Sequence, residues 1–159
     1  MKAIRAAMDE GYHIIHFLCH GALGKQGVIL YLEDEAGQTD LVKTDRIIAT
    51  IRAAATPPLL INLTTCQAGR YDAFIPLAPR LISEAGVQAV LAMNGPIRVD
   101  TARLFSEHFY QRLFHHGLVD LATNQARALI HDQADWGIPV LFSRLPDNRL
   151  LSVSEKATG

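Results

Sequence analysis

What most constrains this chain is the recurrence of short, uncharged apolar runs separated by stretches of helical periodicity. His13-Ile14-Ile15-His16-Phe17-Leu18-Cys19, Leu59-Leu60-Ile61-Asn62-Leu63, Val87-Gln88-Ala89-Val90-Leu91-Ala92-Met93 and Pro139-Val140-Leu141-Phe142 are too short for helices. They suit strands buried on both faces. Between them, Lys2 to Glu10 carries Ile4, Ala7 and Met8 at helical spacing and stops at Gly11, and Thr44 can cap a helix whose stripe is Ile47, Ile48 and Ile51. Pro57-Pro58 ends that helix. Leu77 to Ala85 closes on Gly86, a helix from about Asp100 to Gly117 buries Phe105, Phe109 and Leu113, and Asp120 to Ile130 repeats the pattern with Ala122, Ala126, Leu129 and Ile130. Val28 to Leu32 and Thr39 to Val42 flank a turn-like stretch and predict a hairpin. Strands alternating with helices predict an α/β fold with a mostly parallel sheet and helices on both faces.

At 159 residues the chain suits one domain able to bury a core without staples. Its 49% apolar and 19% charged residues agree with elements buried on both sides. A formal net charge of -1 provides no electrostatic footprint for nucleic acid or an anionic membrane. The N-terminus lacks the apolar stretch of a signal peptide, and no segment approaches the roughly 20 apolar residues that span a bilayer. With only Cys19 and Cys66 there is no disulfide framework, so a cytoplasmic, reducing location is expected.

Consecutive core strands joined by a crossover should lie side by side, about 5 Å apart. The strands ending at His20 and Cys66 would then bring their carboxyl ends together, where ligand sites of open α/β sheets lie. A thiol attacking an acyl group needs a base within reach and donors for the oxyanion. His20 and Cys66 meet the first need, and the N–H groups of Gly21 and Cys66 could meet the second. The plainer reading is a buried small hydrophobe at Cys66 and a strand terminator at His20-Gly21.

Other clusters have simpler readings. His13, His16 and His20 have helical spacing but sit in a strand-like run, where His13 would point away from the other two, so no metal site is expected. His108, His115 and His116 fall near a helix C-terminus, which favours them electrostatically. Cys19 is read as core packing in preference to a redox link with Cys66. Asp72, Glu84 and Asp100 could form an acidic pocket for a basic side chain, although Asp100 is better read as an N-cap. A flavin or nucleotide domain would need a glycine fingerprint after a strand, and none is present.

His16-Phe17-Leu18-Cys19-His20-Gly21, Leu63-Thr64-Thr65-Cys66-Gln67-Ala68-Gly69 and Asp135-Trp136-Gly137-Ile138-Pro139-Val140-Leu141-Phe142, in that order, resemble the CHAT domain family of caspase-like cysteine peptidases. Phe109-Tyr110-Gln111-Arg112-Leu113, Gly117 and Ala122 to Arg127 are also similar to that family, so the resemblance runs from about Lys2 to Leu145. It implies a caspase-like three-layer sandwich and a cysteine endopeptidase acting on a protein substrate through an acyl-enzyme, with no metal or organic cofactor. His20 matches the family's base, Cys66 its nucleophile and Gly21 its oxyanion-hole glycine. His16, Gln67, Asn94 and Asp100 are candidate neighbours of the dyad or of the substrate cleft.

Met93-Asn94-Gly95-Pro96-Ile97 departs from the Gln and bulky aromatic of many relatives, so the wall of the cleft is expected to differ. Caspase-like domains also begin with two further strands before the helix at which this chain starts. The expectation is that residues 1–146 are the C-terminal portion of such a domain, with a polar tail at 147–159 and a TPR or sensor region upstream. Without those strands the edge at His13 to Cys19 would be exposed. A catalytically silent protein-binding module is the alternative function.

Overall fold

The computed structural model describes residues 1–25, 27–64 and 74–153. The chain begins with α1 (Lys2–Asp9), β1 (Ile14–Leu18), β2 (His20–Gly24), β3 (Gly27–Glu33), β4 (Thr39–Lys43) and α2 (Thr44–Arg52). It continues with β5 (Leu60–Thr64), α3 (Leu77–Ala85), β6 (Ala89–Met93), α4 (Val99–His116), α5 (Val119–Leu129) and β7 (Pro139–Ser143). The main sheet has the order β1-β5-β6-β7, parallel throughout except for the antiparallel pair β6-β7, and β2-β3-β4 form a separate antiparallel sheet.

Alternation along the central strands divides the core into two. Ile61 and Leu63 of β5, with Val90 and Ala92 of β6, pack with Met8 of α1, Ile47, Ile48 and Ile51 of α2, and Leu77 and Leu81 of α3. Leu60, Ala89 and Leu91 face the other way, onto Phe105, Phe109 and Leu113 of α4 and Ala122 and Ala126 of α5. The period of two on the strands and of about four on the helices thus forms a helix-sheet-helix sandwich. The small sheet joins the first layer through Val28, Leu30 and Val42.

Several local expectations need correction. Cys19 does not continue β1 into His20, which instead opens β2 and pairs with Tyr31 of β3. The strand His20–Gly24 carries two glycines and an exposed Leu23, so its sequence signal is weak. Thr44 is the first residue of α2 and does not cap it, because its hydroxyl donates back to the Val28 carbonyl at 2.8 Å and ties the helix to β3. Asp100 lies inside the first turn of α4, where the N-cap is Arg98. The polar tail is packed from Asp147 as far as Leu151: Leu150 is buried against the α4–α5 core, and the N–H groups of Leu150 and Leu151 donate to the Gly117 carbonyl at 2.8 and 3.2 Å.

Within the described sheet β1 stands at an edge, bonded on one side to β5. Tyr12 and Leu18 there are 60% and 67% exposed.

Candidate functional site

Residue-by-residue pairing runs from Ile14 with Leu60 to Leu18 with Thr64, so β1 and β5 finish in register. The Cys19 N–H extends the ladder by donating to the Thr64 carbonyl at 3.3 Å. His20 follows two residues after the end of β1 and is exposed. Cys66 and Gln67 lie at 65–73, outside the described residues, as does Asp72. Adjacency of the two strands was legible from their alternation with helices, although the intervening chain also contributes a three-stranded sheet.

Gly21 is buried in β2 opposite Leu30. A Cβ at this position would lie 2.4 Å from Cε1 and 2.8 Å from Cζ of Phe74, so the aromatic ring occupies the space that a side chain would need. The residue therefore has a packing reason to be glycine, independent of any role in catalysis.

His16 has a more developed environment than a neighbour of the dyad would require. Its Nε2 is 2.9 Å from the Thr64 hydroxyl, its Nδ1 is 3.3 Å from the Tyr110 hydroxyl, and the His16 and Tyr110 rings meet at 5.9 Å. Thr64 donates to Asn62 Oδ1 at 3.1 Å, and Asn62 Nδ2 donates to the Tyr110 oxygen at 3.3 Å. Asn62 is fully buried in β5, so its amide must be bonded to be tolerated there. Burial of the imidazole lowers the His16 pKa even though the residue as a whole is exposed along the sheet edge. Burial likewise raises that of Tyr110, opposed by the bond from Asn62.

Beside this group lies a largely apolar groove of about 310 Å³ between the ends of β1 and β5 and the first turns of α4, lined by His16, Leu18, Thr64, Val99, Ala102, Arg103 and Ser106. Sequence reading missed Asn62, Thr64 and Tyr110. Two polar residues at alternate positions of an otherwise apolar strand were the available signal, since both must face one side and be satisfied there.

Asn94 and Asp100 do not join the His16 group. Asn94 is exposed after β6 and its N–H donates to the Ile138 carbonyl at 2.9 Å, while Asp100 is exposed on α4. The work expected of Asp100 is done by Asp135, whose carboxylate accepts from the Arg98 N–H at 2.6 Å and the Thr101 hydroxyl at 2.8 Å. Partial burial raises the Asp135 pKa, but these bonds and the Arg98 charge outweigh it and hold the carboxyl below its ordinary value. Glu84 is engaged with Arg80 at 2.5 Å on the exposed face of α3.

Arg127 donates through Nε to the Pro139 carbonyl at 3.0 Å, and through Nη2 to the same oxygen, fastening α5 to β7. His116 serves the α4–α5 turn: its Nδ1 accepts from the Leu118 N–H at 3.1 Å and its Nε2 bonds Gln125 at 3.1 Å. Among the described residues no group of three His, Cys, Asp or Glu is arranged to hold a metal ion, and no helix is long and apolar enough to cross a membrane.

Comparison with curated proteins gives no match. The family model described as the CHAT domain matches residues 1–141, most of the chain. The α/β sandwich with its mostly parallel sheet agrees with the caspase-like architecture that is the general context of that family. The chain therefore belongs to the CHAT domain family.

Proposed function

We propose that this protein is a cysteine endopeptidase in which His20 activates Cys66 to cleave a peptide bond of a partner protein. The observation that carries the reading is the in-register termination of β1 and β5 at Leu18 and Thr64, each two residues before a member of the dyad, in a chain of the CHAT family. In this reading the His20 imidazole takes the thiol proton, and the thiolate attacks the scissile carbonyl carbon. The N–H groups of Gly21 and Cys66 stabilise the oxyanion. Collapse of the tetrahedral intermediate breaks the C–N bond and the imidazolium returns its proton to the leaving amine. Water, deprotonated by His20, then hydrolyses the thioester. An upstream TPR or sensor region in the larger protein would present the partner, and the cytoplasm is the compartment this chemistry suits.

The test uses the intact protein and a peptide acyl electrophile. Labelling at Cys66 that is abolished in Cys66→Ala and strongly reduced in His20→Ala is the expected result. Labelling of Cys66 at equal rate in His20→Ala would refute the dyad. Specific binding of a partner without cleavage by wild type would favour the non-catalytic alternative.

A further inference from the structure

The hydrogen bonds around His16 close on themselves. Thr64 spends its single hydroxyl hydrogen on Asn62 Oδ1, so toward His16 it can only accept, which places the imidazole proton on Nε2. Nδ1 is then an acceptor and must receive the Tyr110 hydroxyl hydrogen, while the Tyr110 oxygen accepts from Asn62 Nδ2. Every member donates once and accepts once around the ring, an arrangement in which each bond polarises the next.

We propose that His16, Thr64, Asn62 and Tyr110 form a proton-operated latch, closed only while His16 is neutral with its proton on Nε2, that fastens the middle of β1 to the carboxyl end of β5 and to α4. A second proton on Nδ1 turns the acceptor into a donor. The Tyr110 oxygen can still take that N–H, but its own hydrogen then loses its acceptor within the ring, and the circulation of donors is broken.

Among the described residues, the strands that carry the latch hold no carboxylate to compensate an imidazolium. β1 and β5 carry no charged side chain within Ile14–Leu18 or Leu60–Thr64. From α4, Tyr110 is already in the ring and Arg103 stands on the wall of the same groove, where it is paired with the Glu107 carboxylate at 3.6 Å. Burial of the ring opposes the charged form in the same sense.

In the described sheet β1 is held by its backbone ladder to β5, and the latch adds a side-chain tie to that pairing. The latch binds β1 at its middle residue, four positions before His20, and on the other side it holds Thr64, the last residue of β5. It is a property of the fold and stands whether or not Cys66 reacts.

The experiment follows imidazole ¹⁵N resonances of the intact protein from about pH 8 to about pH 5, with amide hydrogen exchange of β1 measured over the same range. The expected result is a pyrrole-type Nε2 and pyridine-type Nδ1 for His16 at the upper end, with β1 exchange accelerating as His16 titrates. Tyr110→Phe should move both the titration and the exchange step to higher pH, because the bond that favours neutral Nδ1 is gone. An Nδ1–H tautomer, β1 exchange indifferent to His16 protonation, or an unmoved titration in a folded Tyr110→Phe would each overturn the proposal. If that variant does not fold, the wild-type tautomer and exchange profile decide it alone.

Discussion

Replacing Gly21 by alanine should destabilise the fold through one identifiable collision. The new Cβ would stand 2.4 Å from Phe74 Cε1 and 3.2 Å from the Ile29 carbonyl oxygen. Carbon atoms in good contact are about 3.5–4.0 Å apart, so the ring must retreat by roughly 1 Å or more. Phe74 is 1% exposed and packs in the cluster with Leu30, Leu63 and Leu77, so its retreat displaces neighbours that are themselves fully buried. Overpacking of this kind costs about 1–3 kcal/mol. For a chain of this length that corresponds to about 2–12 °C in Tm.

Thermal and urea denaturation of Gly21→Ala, Phe74→Leu and the double variant would measure the effect, with an unchanged urea slope confirming that the native state is what changed. The smaller leucine side chain should leave room for the methyl group, so the two substitutions should couple by about 1 kcal/mol or more. A Gly21→Ala protein as stable as wild type, or one losing the same stability in both backgrounds, would refute the packing account. If the double variant is stable yet fails to label at Cys66, the absence of a side chain at Gly21 matters beyond packing.

Two further substitutions test the α4 layer. Gly117 has φ +77°, and a Cβ there would lie 2.0 Å from the Leu151 carbonyl oxygen, so Gly117→Ala should combine left-handed strain with expulsion of the following segment. It should cost about 2 kcal/mol or more, and proteolysis after Asp147 should accelerate; unchanged protection would contradict the packed arrangement. Asp135→Ala should remove the remote cap of α4 and cost about 0.5–2 kcal/mol at neutral pH. Because the folded pKa of Asp135 lies below its ordinary 3.8, its contribution is present above that value and is lost as pH falls through the folded pKa. Wild type should therefore lose stability in that acid window while Asp135→Ala lacks this component, and parallel acid profiles would count against the cap.

The elements legible in the sequence were those whose periodicity is enforced by burial on a long face. Phe105, Phe109 and Leu113 are all fully buried along α4, and Ile47, Ile48 and Ile51 along α2. Side-chain chemistry at the ends of elements was less legible. Thr44 stands where a capping residue is common, but a carbonyl from β3 is within reach of its hydroxyl and wins the bond. Asp100 sits near a helix start, yet the capping oxygen comes from Asp135, 37 residues beyond Arg98. A local pattern can propose a cap, but which acceptor arrives is decided by tertiary packing.

The same distinction explains why the strands ending near His20 and Cys66 could be paired from sequence while the His16 latch could not. Pairing followed from the order of elements, whereas the latch joins β1 to residues 48 and 94 positions away. Asn62 and Thr64 are costly choices in a strand buried on both faces, because each polar group must find a partner. They find partners only when the strand presents them toward His16 and Tyr110; a one-residue slip in register would turn both into the Ile61–Leu63 layer and leave their polar atoms among apolar side chains. The polar pair therefore penalises the slipped sheet more heavily than leucine and valine at the same positions would. Hydrophobic patterning makes these residues a strand, and the satisfied polar ring selects the register in which the ends of β1 and β5 coincide.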